Sequence, residues 1–204
     1  MTQWDFFFEE KIKRILNDKD TIIDIGGGLR VLREKGNVCS PQRQWIKPLL
    51  ERKNYKILDP VPDYNPDIVG DIHNLPFTNN SQEAIICIAV LEHVQNPIKA
   101  VEEMYRVLKP GGYCFVYVPF LYCYHAMPGY YGDYWRFSKD TINYLFSKFS
   151  SLEKQNVRGA CATWLRISPL EKFVFLQKIS IWLDKLLGKE KSNQTSGYYI
   201  FCIK

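Results

Sequence analysis

The chain's candidate ligand-holding side chains recur wherever an apolar run ends. Thr21-Ile-Ile-Asp-Ile-Gly-Gly-Gly28 is a β-branched run that stops at three glycines. Glycine backbone turns sharply and approaches a ligand closely, because no Cβ stands in the way. Asp24 precedes that turn, and its carboxylate is expected to point towards the ligand. Asp59 closes Tyr55-Lys-Ile-Leu-Asp59, and Asp71 closes Asp67-Ile-Val-Gly-Asp71. A carboxylate accepts through two oxygens, which suits paired hydroxyl or amino donors. His93 follows another apolar run, Glu83 to Ala89, in the segment Val90-Leu-Glu-His-Val94. Residues 119–137 are rich in rings, with His125, Asp133 and Arg136 among them. Polar groups that orient or deprotonate, set among rings that stack, are what an acceptor pocket needs.

Strands and helices must place these groups together. Phe7, Phe8, Ile12, Ile15 and Leu16 predict a helix from about Trp4 to Asn17. Strands are expected at 21–25, 55–59, 67–71, 83–89, 113–118, 152–158 and 198–203. Ser40-Pro41 reads as a hydroxyl N-cap and first-turn proline of a helix to Lys53. Asn96-Pro97 starts another helix, which Lys109-Pro-Gly-Gly112 ends. Thr141 to Phe149 reads as a helix capped by Ser138 or Asp140. Residues 169–187 read as an amphipathic helix or helix pair, packed in the core. The alternative for that segment is a membrane-surface or dimer contact, with Lys172, Lys178, Lys185 and Lys189 on its basic side.

Alternating strands and helices predict an α/β fold with a largely parallel sheet. In such sheets ligands bind beyond the carboxyl ends of the strands. The acids and glycines all fall at those ends. A dinucleotide-binding turn fits poorly. Gly26-Gly27-Gly28-Leu29-Arg30 is not G-x-G-x-x-G, and Asp59 lies about thirty residues on, where about twenty is usual.

The length suits one domain, 1–204, with 46% hydrophobic and 24% charged residues. Its parts are expected to be a helix over 1–18, a ligand-binding core over 20–118, an aromatic loop beside the ligand site over 119–137 and a C-terminal part over 138–204. A net charge of +5 is scattered, with no dense basic tract, so no nucleic-acid partner is expected. The six cysteines form no C-x-x-C pair, so no metal is expected. Asp5, Glu9 and Glu10 interrupt any signal-peptide pattern. The expected location is the cytoplasm, with peripheral membrane contact through 169–189 as the alternative to core packing of that segment.

The ordered set Asp24-Ile-Gly-Gly-Gly28, Asp59, Gly70-Asp71-Ile-His-Asn-Leu-Pro-Phe77, Ala89-Val-Leu-Glu-His-Val94 and Leu108-Lys-Pro-Gly-Gly112 resembles the class I S-adenosylmethionine-dependent methyltransferases. Within these it is similar to the type-11 group, which includes ubiquinone and menaquinone methyltransferase-like enzymes. The resemblance covers about residues 20 to 120. It implies a Rossmann-like three-layer sandwich, with a seven-stranded, mostly parallel sheet and an antiparallel last strand.

The resemblance also implies roles. Asp24, Gly26, Gly27 and Gly28 would line the methionine half of the cofactor. Asp59, with Pro60 beside it, would hold the ribose hydroxyls. Asp71 would face the adenine amino group, and Ile72 would flank the ring. Ala89, Val90 and Leu91 would run past the methionine portion. S-adenosylhomocysteine would be the product. Two features depart from the family pattern. Arg30 stands where a further glycine is usual, and a long loop precedes the next helix. Arg30 or Arg33 is a candidate for the cofactor carboxylate.

The expected acceptor is a small molecule, a sugar or a lipid-linked sugar. Tyr124, Asp133, Tyr134 and Arg136 are its expected contacts, His125 the first candidate base and His93 the second. The alternative is a protein that binds the cofactor without catalysis and acts through a partner.

Overall fold

The computed structural model describes residues 1–32, 34–35 and 38–204. Helix α1 (Gln3–Asp18) starts at a capping box, in which Thr2 and Asp5 each accept a bond from the other's backbone. The strands are β1 (Thr21–Ile25), β2 (Asn54–Asp59), β3 (Ile68–Val69), β4 (Gln82–Ile88), β5 (Leu108–Pro119), β6 (Ser151–Val157) and β7 (Gly197–Ile203). They form one sheet in the order β3-β2-β1-β4-β5-β7-β6. The first five run parallel, and β7 is antiparallel to both β5 and β6. This is the expected Rossmann-like arrangement.

Period-two alternation divides each central strand between two cores. Ile22, Ala84, Ile86, Phe115 and Phe201 face α1, where Phe8, Ile12, Ile15 and Leu16 meet them. Ile23, Ile25, Ile85, Cys87, Cys114 and Val116 face the opposite layer. There they meet Val101 and Met104 of α3 (Pro97–Val107) and Ile142 of α4 (Lys139–Leu145). Asn96 caps α3 by accepting from Lys99 N, and Ser138 caps α4 by accepting from Thr141 N.

Several elements differ from the sequence reading. Pro41–Ile46 is a 3₁₀ segment, followed by only one α-turn, α2 (Lys47–Leu50). Pro48 has no N–H to donate and its ring crowds the preceding turn, so a continuous α-helix to Lys53 does not form. Ser40 makes no side-chain cap there. Helix α4 stops at Leu145, four residues short of Phe149. Lys109–Gly112 lies within β5, at a shift of register against β4. Helix α5 (Ala160–Arg166) was not anticipated.

The segment 169–187 is not a core helix. It forms a 3₁₀ turn, Pro169–Lys172, and α6 (Val174–Leu186). Ser180 and Asp184 are the buried residues of α6, whereas Val174, Phe175, Ile179, Trp182 and Leu186 are exposed. Asp184 explains the orientation. Its carboxylate accepts from Cys161 N and Ala162 N at 2.8 and 3.0 Å, which docks the polar face on α5 and turns the apolar face outward. Among the described residues no helix is long and apolar enough to cross a membrane.

Glu83 ties the amino edge of the sheet together. Its carboxylate accepts from Asp20 N, Thr21 N and Lys109 Nζ at 2.9, 3.1 and 2.9 Å. These donors hold its pKa down to about 2, from 4.5. The stability they supply is fully present above about pH 4.5 and is lost as pH falls towards 2. Glu83→Gln is expected to cost about 1 kcal/mol at neutral pH, after solvent screening, and to flatten stability across that acid window. Denaturant unfolding as a function of pH checks both.

Candidate active site

The glycine loop is held from beneath by Asp24. Alternation along β1 puts Asp24 on the same face as Ile22, so its side chain enters the α1-side core and not the ligand cleft. It is fully buried. Its oxygens accept from Gly28 N and Leu29 N at 3.0 Å each and from Tyr55 Oη at 2.6 Å. Burial pushes its pKa up to about 6 against the pull of these donors. Arg43 braces the same turn by donating to Gly28 O at 2.6 Å. Gly26 and Gly27 have φ of +77° and +59°. Arg30 keeps a left-handed backbone too, at φ 57°, so the position retains the conformation that a glycine adopts freely. Arg33 lies outside the described residues.

A cleft of about 1160 Å³, including its open mouth, runs along the carboxyl ends of β1 to β5. Gly26, Gly28 and Arg30 line one wall. Asp59, Pro60, Val61, Asp71 and Ile72 line one end. Asp59 is nearly buried, and burial raises its pKa although Val61 N donates to Oδ1 at 2.8 Å. Asp71 Oδ1 accepts from His73 N at 2.9 Å, capping the 3₁₀ turn Ile72–Asn74. Ala89 and Val90 form the floor. Ala89 has φ 57°, a conformation that costs a non-glycine residue about 1–2 kcal/mol and often marks a functional turn.

At the other end, residues 119–137 fold back over the cleft. Tyr130 stacks on Tyr64 with ring centroids 5.5 Å apart, and its hydroxyl donates to Asp63 Oδ2 at 3.2 Å. Trp135 Nε1 donates to Val94 O at 2.9 Å, and Tyr134 N to Glu92 O at 2.8 Å. Inside the loop Asp133 accepts from Arg136 through both oxygens, at 2.5 and 2.8 Å, and from His125 N at 2.8 Å. Arg136 holds the Asp133 carboxyl down at about 2. Under the lid His93 and His125 meet edge to face, 4.8 Å between centroids. Glu92 is 1% exposed, and among the described residues neither of its side-chain oxygens has a hydrogen-bond partner. Its carboxylate raises the His125 pKa.

A family model described as a methyltransferase domain matches residues 47–116. Demethylmenaquinone methyltransferase of Paenarthrobacter aurescens is 53% identical over 45 residues, covering 22% of this chain and 18% of its own. "Probable tRNA methyltransferase 9B" of Homo sapiens is 46% identical over 101 residues, covering 48% of this chain and 21% of its own. A solved S-adenosylmethionine-dependent methyltransferase of Archaeoglobus fulgidus superposes with a TM-score of 0.59 at 12% identity, covering 99% of this chain and all of that one. Residues 47–116 thus resemble a methyltransferase domain, and the whole chain shares the fold of the solved S-adenosylmethionine-dependent methyltransferases. It spans about a fifth of the length of the curated relatives it matches.

In this methyltransferase-like fold the cleft brings together Gly26, Gly28, Asp59, Pro60, Asp71, Ile72, Ala89, Val90, His93 and His125. It does not bring in Asp24, Gly27 or Leu91, whose places are in the scaffold. The four expected acceptor contacts are also outside its wall. Tyr124 and Tyr134 are exposed, at 77% and 54%. Asp133 and Arg136 are spent on each other and on the loop backbone. The sequence reading missed Tyr64, Tyr117, Tyr122, Tyr130, Tyr131 and Glu92 as lining residues. For Glu92, its place between an apolar strand and His93 was the available signal.

A Cβ on Gly28 would stand 2.6 Å from Ile88 Cβ and 2.8 Å from Ile88 O. Gly28→Ala is therefore expected to destabilise by about 2 kcal/mol or more. Arg30→Gly relieves a left-handed residue and is expected to be neutral or to gain up to about 1 kcal/mol. Denaturant unfolding of the two variants checks the contrast.

Proposed function

We propose that this chain binds S-adenosylmethionine in the cleft and transfers its methyl group to a small-molecule, glycan or glycolipid acceptor. The observation that carries the reading is the continuity of the cleft from Asp59, past Gly26 and Gly28, to His93 and His125 beneath the aromatic lid. Asp59 would take the ribose hydroxyls, while Asp71 and Ile72 would meet the adenine. Gly26, Gly28, Ala89 and Val90 would border the methionine portion, with Arg30 towards its carboxylate. The sulfonium methyl would then face Tyr117, Tyr122 and His125.

The cofactor supplies an activated methyl, so the protein's task is positioning. Good alignment of the reactants accounts for about 7–11 kcal/mol of barrier lowering in oriented reactions. Ring faces near a sulfonium add roughly 0.5–2 kcal/mol. The acceptor's proton would leave at the histidine end, to His125 first and to His93 second. The tRNA methyltransferase relative adds RNA to the acceptors to be screened.

Asp59→Asn keeps an acceptor for Val61 N but removes the charge. It is expected to weaken S-adenosylhomocysteine binding at least about tenfold, or 1.4 kcal/mol, by calorimetry. No binding by the unaltered chain would reject the reading. A screen for S-adenosylhomocysteine release over sugars, lipid-linked sugars, small aromatics and RNA separates an enzyme from a cofactor-binding protein that acts through a partner.

The outward apolar face of α6 supports a membrane contact. Phe175, Ile179, Trp182 and Leu186 are exposed, and Lys178 and Lys185 flank them in sequence. Rings and aliphatic side chains beside lysines suit an anionic lipid surface. The chain is expected to float with anionic but not neutral vesicles, and Trp182→Ser with Phe175→Ser to abolish it. No flotation, or a dimer by light scattering that the same variants dissociate, would overturn the assignment.

A further inference from the structure

We propose that Glu92, His93 and His125 form a divalent-cation site at the acceptor end of the cleft, where the cation holds the oxygen of a hydroxyl acceptor. This inference rests on the methyl-transfer reading for its purpose, but its geometry stands apart from it.

The three side chains offer ligand atoms that all lie within 4.8 Å of one another. His93 Nε2 is 3.9 Å and His125 Nε2 is 3.8 Å from the same oxygen, Glu92 Oε1. Each ring's other nitrogen is turned to a backbone carbonyl. His93 Nδ1 lies 2.6 Å from Gly132 O, and His125 Nδ1 lies 3.0 Å from Cys123 O and 3.2 Å from the Asp133 carboxylate, which likewise only accepts. A carbonyl only accepts, so each Nδ1 carries the proton. In the neutral rings both Nε2 atoms then present lone pairs. An Nδ1–H donated to a carbonyl is also the usual brace of a metal-binding histidine.

With both rings neutral, two lone pairs and a carboxylate converge with no donor between them. Glu92 is buried, and both of its oxygens lack a partner among the described residues. A buried, unpaired carboxylate is costly unless positive charge faces it. The Nε2–Oε1 gaps exceed the roughly 2.7–3.2 Å of a hydrogen bond, so a proton does not bridge them. Ligand atoms held about 2.0–2.2 Å from one tetrahedral ion stand roughly 3.3–3.6 Å apart, so the two Glu92–histidine gaps need to close by about 0.2–0.6 Å and the widest separation by up to about 1.5 Å. The cluster is preorganised on the backbone side too. Glu92 O accepts from Tyr134 N and Trp135 N, which ties the ligand-bearing turn to the lid.

Two imidazoles and one carboxylate suit a first-row divalent ion such as Mn²⁺, Fe²⁺, Co²⁺ or Zn²⁺ and leave coordination positions open. A hydroxyl oxygen taken up there becomes more acidic. Its proton leaves to water, and the oxygen's electron pair forms the bond to the sulfonium methyl. The carbon–sulfur bond breaks with its pair going to sulfur, which leaves a neutral thioether. With the cation bound, His93 and His125 serve as ligands and no longer as bases.

The test titrates chelator-treated protein with Co²⁺, followed by calorimetry and visible absorption, with S-adenosylhomocysteine titrated in parallel. The expected result is one Co²⁺ per chain, weakened at least tenfold in both Glu92→Gln and His125→Ala. Mn²⁺ added to the unaltered chain should broaden the ring NMR signals of His93 and His125 ahead of His73, which needs no variant to fold. S-adenosylhomocysteine binding without Co²⁺ binding would overturn the cation site and leave the methyl-transfer reading standing. Equal Co²⁺ affinity in all three proteins, or broadening centred on His73, would overturn it as well. Failure to bind either ligand would overturn both.

Discussion

A buried carboxylate beneath the first strand's turn is the interaction on which the cleft depends. Asp24 is surrounded by Gly28 N, Leu29 N and the Tyr55 hydroxyl, and these bonds fold the glycine loop back over the end of β1. The loop therefore leaves its outer backbone facing the space between β1 and β4. Desolvation opposes the charge, and three donors offset it only in part. Removing any donor would leave a buried acceptor short of a partner, which is more costly than the mean value of one hydrogen bond. Asp24 thus shapes the ligand site without facing it.

The fold was legible because its signals are redundant. Apolar runs recur along the chain, glycines or acids stand at the ends of the first three strands, and both alternation and strand order agree with one parallel α/β plan. The acid-and-glycine side of the cleft was legible for the same reason: Asp59, Asp71, Gly26 and Gly28 occupy turn positions that a local reading can place. Asp24 was misjudged on one point of parity. Its period-two partner Ile22 faces the α1 layer, and so does Asp24. Pro48 and the short α2 show a second limit, where an apolar pattern outweighed a proline that should have divided it.

The acceptor side was read from composition, and composition does not say which polar groups are already satisfied. Asp133 and Arg136 form a pair that shapes the loop from within. Tyr124 and Tyr134 point outward, while Tyr117, Tyr122 and Tyr131 line the cleft. Glu92 escaped notice because its meaning comes from long-range packing, where His125 arrives from a loop more than thirty residues away. Helix α6 shows the same rule on the surface. Its hydrophobic side chains predict burial, but Asp184 anchors the opposite face to α5.

These features describe a scaffold whose sheet edge presents an acidic end, a glycine-lined middle and a histidine-rich end under aromatic rings. The central claim is that one S-adenosylmethionine-type ligand spans all three. A crystal structure of the chain with S-adenosylhomocysteine tests it most directly. The account predicts the ribose on Asp59, the adenine against Ile72 and the sulfur directed towards His125. A ligand bound elsewhere, or one whose sulfur points away from the Glu92–His93–His125 end, would contradict it.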